Sequence, residues 1–544
     1  MKLNRIERAK RLLTPYDFHT QINSIDLTNL SEEERFYLKN YGIYNIKLTP
    51  EKFMLRIRIA AGRIIHQKLY TLVQLVKRFD LELLITARAQ LELHGLRACN
   101  IMEVWELLAN EKITTLQTLT DNFRNIVTDP YDGVDASSKI ETYGLIQQMQ
   151  DIFLNQPEWM GMLPRKFNTA ICGTKTTHTH FFGNDLFFAL ARKEEQWGFN
   201  LFLGGKNSEV AQDANIFVVA EDVPRMFEAV AKAYKTYGLR GTRSKTRLFH
   251  LLEERGVKTF VKHITEFYPK EIVSRGELQM GKTSFSAYKK LSNGTYAYCY
   301  QSRFGKLDVE ALEEVLLYAK EKELEIRVGV DQNLHLFGLK EKHVPFQTIQ
   351  GASNVAACAG SHYCALSLWD IKSDVVYLPL EKIEKYQLQV GFSGCLKGCG
   401  RHYHCDIGLV GLRTNSFGET QKAARVYLGG KYSTCGTAAR LIFTVVPLVH
   451  LKRLIEVIIE EFEASGQSDF EIFSQNYLNP LSSGFLMLWF LSKLYLKKEI
   501  LLEQTSEKVL YQKLRQQLDF PVFEEDEKYL KSIDVMKHAL WDDK

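Results

Sequence analysis

A stretch of 44 residues occurs twice in this chain, and the duplication limits the folds open to it more than any other feature. Phe53 to Leu96 aligns with Tyr296 to Leu339 without a gap, at an offset of 243. Gly62 falls on Gly305, Glu82 on Glu325, and Gly95-Leu96 on Gly338-Leu339. The apolar stripe Leu69, Leu72, Val73, Val76 falls on Leu312, Val315, Leu316, Ala319, the i, i+3, i+4, i+7 pattern of one helical face in both copies. Each copy therefore reads as a strand, then an amphipathic helix that opens near Asp308 in the second copy. An alternating strand follows (Leu81, Leu83, Ile85; Leu324, Ile326, Val328), then a turn and a further strand. Coincidence between two ordinary βα units is the competing explanation, and a gap-free match of this length favours duplication.

Each β-α-β-β unit is about half of a ferredoxin-like sandwich. Between the copies, segments such as DANIFVVAEDVPRMFEAVAKAYKTYG read as an apolar strand followed by an amphipathic helix, and a similar stretch follows the second copy. The expected architecture is two repeats related by approximate two-fold symmetry, each followed by an α/β domain, with a cleft where the halves meet. From about Gly466 onward the pattern turns helical and charged, which reads as a helical C-terminal appendage. With 544 residues, the chain has room for three or four structural units. A net charge of +5 is far from the basic density that non-specific nucleic-acid binding needs. The N-terminus carries charges throughout and lacks a signal peptide's apolar core. The longest apolar run, Phe485 to Leu491, is well short of the ~20 residues of a spanning helix, so a cytoplasmic protein with no membrane partner is expected.

Of nine cysteines, Cys99, Cys172, Cys299 and Cys435 are scattered, whereas Cys358, Cys364, Cys395, Cys399 and Cys405 fall within 48 residues. Cys358-x5-Cys364 followed by Cys395-x3-Cys399 is a poor zinc pattern, because structural zinc favours tighter pairs. Four thiolates suit a [4Fe-4S] cluster, with Gly394, Gly398 and Gly400 letting the backbone pass close to it; buried unbridged thiols are the plainer reading.

The run from Asn354 through Cys358 to Cys364, followed by Gly394-Cys395-Leu-Lys-Gly-Cys399-Gly-Arg-His-Tyr-His-Cys-Asp406 and on to Gly411, resembles the signature of the assimilatory nitrite and sulfite reductase haemoproteins. The resemblance extends from about Phe53 to about Leu448 and includes both repeats. It implies an α+β fold of duplicated ferredoxin-like half-domains with two α/β sirohaem-binding domains in a pseudo-two-fold arrangement. The expected boundaries are an N-terminal segment (1–50), half-domain repeat 1 (51–128), α/β domain 1 (129–285), half-domain repeat 2 (286–345), α/β domain 2 with the cysteines (346–465) and the helical appendage (466–544). The resemblance also implies sirohaem and a [4Fe-4S] cluster as cofactors. Cys358, Cys364, Cys395 and Cys399 would hold the cluster, with Cys399 shared with the haem iron. Cys405 lies outside that pattern. His362, His402 and His404 are expected to pack or hydrogen-bond rather than ligate.

Sirohaem carries many carboxylates and the substrate is an anion, so positive charge must be concentrated in a poorly solvated place. By the resemblance, Arg56, Arg124 and Lys166 face the substrate, and Arg88 a haem carboxylate. Arg243 and Arg247 resemble a further haem-carboxylate stretch. No G-x-G-x-x-G after a strand and no P-loop is visible, so electrons are expected from an external carrier: ferredoxin, flavodoxin or a separate flavoprotein subunit. Nitrite is favoured over sulfite because Asn168 stands where sulfite reductases of the family tend to have a second lysine. Sulfite reduction, a cobalamin-pathway oxygenase and a non-catalytic electron-transfer protein are the alternatives. Ala60-Ala61 stands before Gly62 where the family often has proline, which bears on the loop near Arg56.

Overall fold

The computed structural model describes residues 3–346, 354–431, 436–496, 500–523 and 529–542, so Cys435 lies outside the described residues. The chain divides into two units, Met1–Gly351 and Ala352–Lys544.

In the first unit the two repeats match element for element. The helices His66–Phe79 and Val309–Glu321 bury the stripes expected of them, with Leu69, Leu72, Val73, Leu312 and Leu316 fully inside. Asp308 caps the second helix, its carboxylate accepting from the Ala311 amide. The strands Glu82–Ile85 and Leu91–Leu96 recur as Glu325–Val328 and Leu334–Leu339. Even the left-handed residues recur at the same offset: Ala61 and Phe304, Asp80 and Glu323, Ala89 and Gln332, Gly95 and Gly338. The loop with two alanines in place of proline thus carries a φ of 54° at Ala61, a value proline cannot adopt.

The repeats also exchange strands. Arg63–Ile64, from repeat 1, pairs antiparallel with Glu325–Val328 of repeat 2, Ile326 opposite Ile64. Lys306–Leu307, from repeat 2, pairs antiparallel with Glu82–Ile85 of repeat 1, Leu307 opposite Leu83. Each resulting sheet has five strands, one of them borrowed. The glycines that precede the exchanged strands make the crossing feasible. A Cβ at Gly62 would meet the Val328 carbonyl oxygen at 2.0 Å, and one at Gly305 would meet the Ile85 carbonyl oxygen at 2.9 Å, the two-fold mate of the first contact. Repeat 1 also starts earlier than its expected boundary at residue 51. Ile43–Ile46, inside the N-terminal segment, is the edge strand of the sheet, matched in repeat 2 by Tyr288–Lys290.

After repeat 1, the strands Leu186–Lys193, Gln196–Leu203 and Gln212–Val219 form a meander, with Thr169–Cys172 parallel to the first of them and the helix Val223–Tyr237 closing the motif. In the second unit, Val390–Ser393 runs parallel to Ile407–Thr414, which opens the meander completed by Gln421–Leu428 and Arg440–Pro447, and the helix Leu448–Ala464 follows. The α/β part is therefore also present twice. The C-terminal stretch is helical as expected, but it packs into the second unit instead of standing off as an appendage. Trp541 is buried against Phe417 and Phe443, and buried Glu461 accepts from the Trp489 indole, Lys493 and the Leu502 amide. The apolar run Phe485 to Leu491 lies in the helix Ser483–Leu496, apolar on nearly all sides because it is buried. No helix among the described residues is long and apolar enough to cross a membrane.

Gly62→Ala should lower the melting temperature by several degrees more than Gly294→Ala. Both positions need a left-handed backbone, which costs about 1 kcal/mol with alanine, but only Gly62 adds a backbone clash, since nothing lies within 4 Å of a Cβ at Gly294. Thermal scans of the two variants at one scan rate would refute the crossing's importance if the shifts were equal.

Candidate active site

The cationic candidates lie in the first unit, on loops and strand ends that the fold draws together. Arg56, on the strand Thr49–Ile57, stands directly across from Glu92 on Leu91–Leu96, and the two side chains are ion-paired. Burial alone would raise the Glu92 carboxyl. Arg56 first, then His94 with its Nε2 3.0 Å away, bring it down to about 2. Arg88, on the turn before that strand, donates to the side-chain oxygen of Asn184 at 2.7 Å and to the carbonyls of Asn125 and Thr169. Asn125 ties the turn down in return, its amide donating to the carbonyls of Ile59, Arg88 and Ala89.

Arg124 lies close to both arginines. The segment through Phe123 and Val127 runs parallel to the one through Phe167 and Ala170, and the Arg124 amide donates to the Phe167 carbonyl at 2.8 Å. The guanidinium is buried, and Nη1 has no hydrogen-bond partner. Its pKa falls well below the arginine range, first because of burial and then because Arg56, Arg165 and Arg88 are close enough to repel it. Lys166 is half-buried and Asn168 buried on either side of Phe167, a core residue, so alternation places both on the face opposite the core. Asn168 Oδ1 is a second buried atom without a partner.

Arg243 and Arg247 are engaged elsewhere. Arg247 makes a two-pronged contact with buried Asp185, whose other bond accepts the Asn168 amide at 2.8 Å. Arg243 donates both Nη atoms to buried Asp121 at 2.9 Å, alongside Lys10 and Arg165. Their guanidinium groups therefore hold the aspartates that fix the loops carrying Arg124 and Asn168. Glu92, Asp121, Asn125, Arg165 and Asp185 are site residues that the sequence reading missed. Only Arg165, adjacent to Lys166, had a local signal.

The four cysteines of the cluster pattern lie in the second unit. Val355–Ala357 runs parallel to Val390–Ser393, so Cys358 and the loop after Ser393 leave the sheet at the same end. The Gly394 amide donates to Cys358 Sγ at 3.1 Å, and the loops are further joined by Leu368 donating to the Gly394 carbonyl. A Cβ at Gly394 would meet Ser367 Oγ at 1.8 Å, so this close approach requires glycine. Burial pushes the Cys358 thiol up to about 12, and Cys399 adds to the shift; thiols gathered in this way ionise readily only against a bound cation. None of the eight described cysteines is bridged. Cys405 is buried, and burial followed by Asp406 raises its pKa. His402 is fully buried with Nδ1 3.0 Å from Ser393 Oγ, and burial lowers it to about 3, which leaves it a neutral packing group. His404 is buried and His362 exposed.

A family model described as the nitrite and sulphite reductase 4Fe-4S domain matches residues 119–272, and one described as the nitrite/sulfite reductase ferredoxin-like half domain matches residues 45–111. The first of these falls on the α/β copy whose sole cysteine is Cys172, so the match does not include Cys358, Cys364, Cys395 or Cys399. The chain is 29% identical over 503 residues to a ferredoxin–nitrite reductase of Synechococcus elongatus, covering 86% of this chain and 98% of that one. It is 26% identical to an assimilatory ferredoxin-dependent nitrite reductase of Haloferax mediterranei, covering 78% and 82%. In fold it resembles the Mycobacterium tuberculosis NirA protein, with a TM-score of 0.78 and 22% identity over 87% of this chain and 96% of that one.

The Arg56–Glu92 pair makes a pH-dependent contribution. A carboxyl depressed from 4.5 to about 2 adds stability that is complete above about pH 4.5 and is lost as pH falls towards 2, on the order of 3 kcal/mol in all. The stability difference between wild type and Glu92→Gln, followed by denaturant titration, should therefore shrink as pH drops through that window. A constant difference would show that Glu92 is not held ionised by Arg56.

Proposed function

We propose that this chain, a member of the nitrite and sulphite reductase family, reduces nitrite to ammonia with six electrons taken from ferredoxin. The reading further assigns it a sirohaem and a [4Fe-4S] cluster. Its strongest support is Arg124. A guanidinium buried among other cations, with a donor left unmatched, is costly unless an anion takes the donor, and both the substrate and the carboxylates of a sirohaem are anions. The unmatched Asn168 Oδ1 fits the same account, as an acceptor for a proton carried by a partly reduced substrate.

Cys358, Cys364, Cys395 and Cys399 would hold the cluster, with Cys399 as the shared thiolate; the Cys399 thiol lies close enough to buried Cys358 to raise it, a pairing that suits a bound cation better than empty protein. When bound, the two groups supply electrons and an iron site for the anion. The remaining work falls to side chains of this chain. Arg56 and Arg124 offer planar forks that match an oxyanion, whereas Lys166 is a point charge able to pass a proton to a departing oxygen. Arg88 would meet a cofactor carboxylate in this reading, with its guanidinium held by Asn184 and the carbonyls of Asn125 and Thr169. Arg243 and Arg247 act through Asp121 and Asp185 to hold these groups in place. Ferredoxin as donor is supported by the names of the Synechococcus and Haloferax relatives and by the lack of a nucleotide fingerprint in the sequence.

Nitrite is preferred because Asn168 places a neutral amide where a lysine would favour the doubly charged sulfite. With one reduced dye as donor, the holoenzyme should show a higher kcat/KM for nitrite than for sulfite, and Asn168→Lys should move the ratio towards sulfite by about tenfold or more. A tenfold shift needs about 1.4 kcal/mol, and one charge at ~4 Å in an effective dielectric near ~20 offers up to roughly 4 before desolvation. A wild type that prefers sulfite would replace nitrite in this assignment, and an unmoved ratio would take Asn168 out of the pocket.

Cys399→Ser should abolish turnover and change the haem spectrum, while Cys405→Ser should leave iron and acid-labile sulfide content nearly unchanged. Loss of the cluster on the Cys405 change, or a silent Cys399 change, would mean that the ligands are wrongly assigned.

A further inference from the structure

The offset that relates the repeats also relates their side chains at the site. Adding 243 to Arg56, Arg88 and Glu92 gives Cys299, Asp331 and His335. The structure keeps the geometry of these positions. Cys299 stands directly across from His335 on paired strands, as Arg56 does from Glu92, and Asp331 sits on the turn that corresponds to Arg88's. The chemistry is inverted. Repeat 1 presents two guanidinium groups and one carboxylate, a set that favours an anion, while repeat 2 presents a thiol, a carboxylate and an imidazole, each a ligand for a cation.

These three groups converge. Ligand atoms of Cys299, Asp331 and His335 all lie within 4.8 Å of one another. A fourth donor, His178, follows the short strand Thr176–Thr177 and reaches the group through Asp331, its Nε2 3.4 Å from Asp331 Oδ2. Cys299 and His335 are fully buried, and the side chains of Asp331 and His178 are 4% and 5% exposed. His335 Nε2 lies 3.1 Å from both Asp331 oxygens, and its Nδ1 is a buried nitrogen with no hydrogen-bond partner. The wall is cut back to admit the donors: a Cβ at Gly329 would meet Asp331 Oδ1 at 1.9 Å and His335 Nε2 at 2.7 Å. The Tyr131 ring closes the far side, edge-on to both histidines.

We propose that Cys299, Asp331, His335 and His178 form a second, structural site for a divalent cation of the zinc class. One sulfur, one oxygen and two imidazole nitrogens make a tetrahedral set suited to zinc. One thiolate and one carboxylate neutralise a 2+ ion where a residual charge would be poorly solvated. On binding, the Cys299 thiol loses its proton to solvent and its sulfur bonds to the metal, with no change of oxidation state. The site is independent of the reductase chemistry and shares none of the cluster cysteines.

The experiment is metal analysis of the intact holoenzyme, prepared without a polyhistidine tag and equilibrated with zinc chloride, then dialysed. Zinc and iron are measured by mass spectrometry, and the zinc environment by X-ray absorption at the zinc edge. The expected result is about one zinc per chain beside a full iron complement, with one sulfur neighbour at about 2.3 Å and nitrogen or oxygen neighbours at about 2.0 to 2.1 Å. Cys299→Ser should remove the sulfur neighbour, and Asp331→Asn should cut retained zinc at least tenfold, whereas Cys99→Ser, at an exposed thiol, should change neither. If the Cys299 variant does not fold, the wild-type sulfur count still decides. Zinc-free protein with full iron overturns the proposal and leaves the nitrite reading intact. Zinc with no sulfur neighbour is adventitious and overturns it too, and zinc with four sulfurs belongs to the cluster cysteines and does the same.

Discussion

Two borrowed strands of two residues each hold the first unit in register. Arg63–Ile64 and Lys306–Leu307 each complete the sheet of the other repeat, so neither half-sandwich presents an open edge where the other should be. The exchange ties together positions more than 220 residues apart in sequence and is reinforced where the helices meet, with Lys77 reaching Glu310 and Glu313, and His66 Nε2 contacting the Leu316 carbonyl at 2.8 Å. Arg56 and Glu92 sit on the two strands adjacent in one of these sheets, and Arg88 on the turn that leads into it. Their mutual geometry is therefore inherited from a backbone that cannot slip by one residue without breaking both sheets.

On that frame, the cationic site is an exercise in holding like charges together. Each buried carboxylate nearby is already engaged: Glu92 by Arg56, Asp185 by Arg247, and Asp121 by Lys10, Arg165 and Arg243. The remaining guanidinium groups rest on backbone carbonyls. Arg88 uses those of Asn125 and Thr169, and Arg58, which burial brings down to about 9, uses those of Leu116, Gln117 and Phe123. Carbonyl dipoles orient a guanidinium but do not cancel its charge. The excess accumulates at Arg124, and a rigid, under-neutralised cation of this kind has its reorganisation cost met in folding rather than at the moment an anion arrives.

Much of this was legible in the sequence, for physical reasons. The repeat could be read because a gap-free offset preserves the 3.6-residue stripe and the turn glycines at once. The grouping of Cys358, Cys364, Cys395 and Cys399 could be noticed because two of their spacings are local, and metal ligands must be close in space. The strand exchange could not, since two-residue strands have no periodicity. The α/β part after each repeat could be read as a strand-then-helix pattern, but not its strand order: Leu186–Lys193 and Ile407–Thr414 are buried strands whose apolar residues are interchangeable, so the topology recurs without a shared residue pattern. Asp121 and Asp185 were invisible because their partners are remote, Arg243 lying 122 residues away and Arg247 62. The charged C-terminal helices suggested an appendage because their apolar faces, each narrow, add up to a core only when packed against the second unit's sheet.

The repeats also show which layer of the structure is free to change. Backbone torsions recur even at left-handed residues, because the exchanged strands would otherwise fail to meet. Side chains at the strand centres answer to a different constraint: each cross-strand pair must satisfy itself and whatever occupies the adjoining space. Arg56 with Glu92 and Cys299 with His335 are two solutions at one geometry, one leaving positive charge in surplus through Arg88, the other supplying negative charge through Asp331. A duplicated frame thus fixes where polar groups stand and leaves their sign open, so that one architecture can present a cation-rich pocket and a cation-seeking one in the same unit.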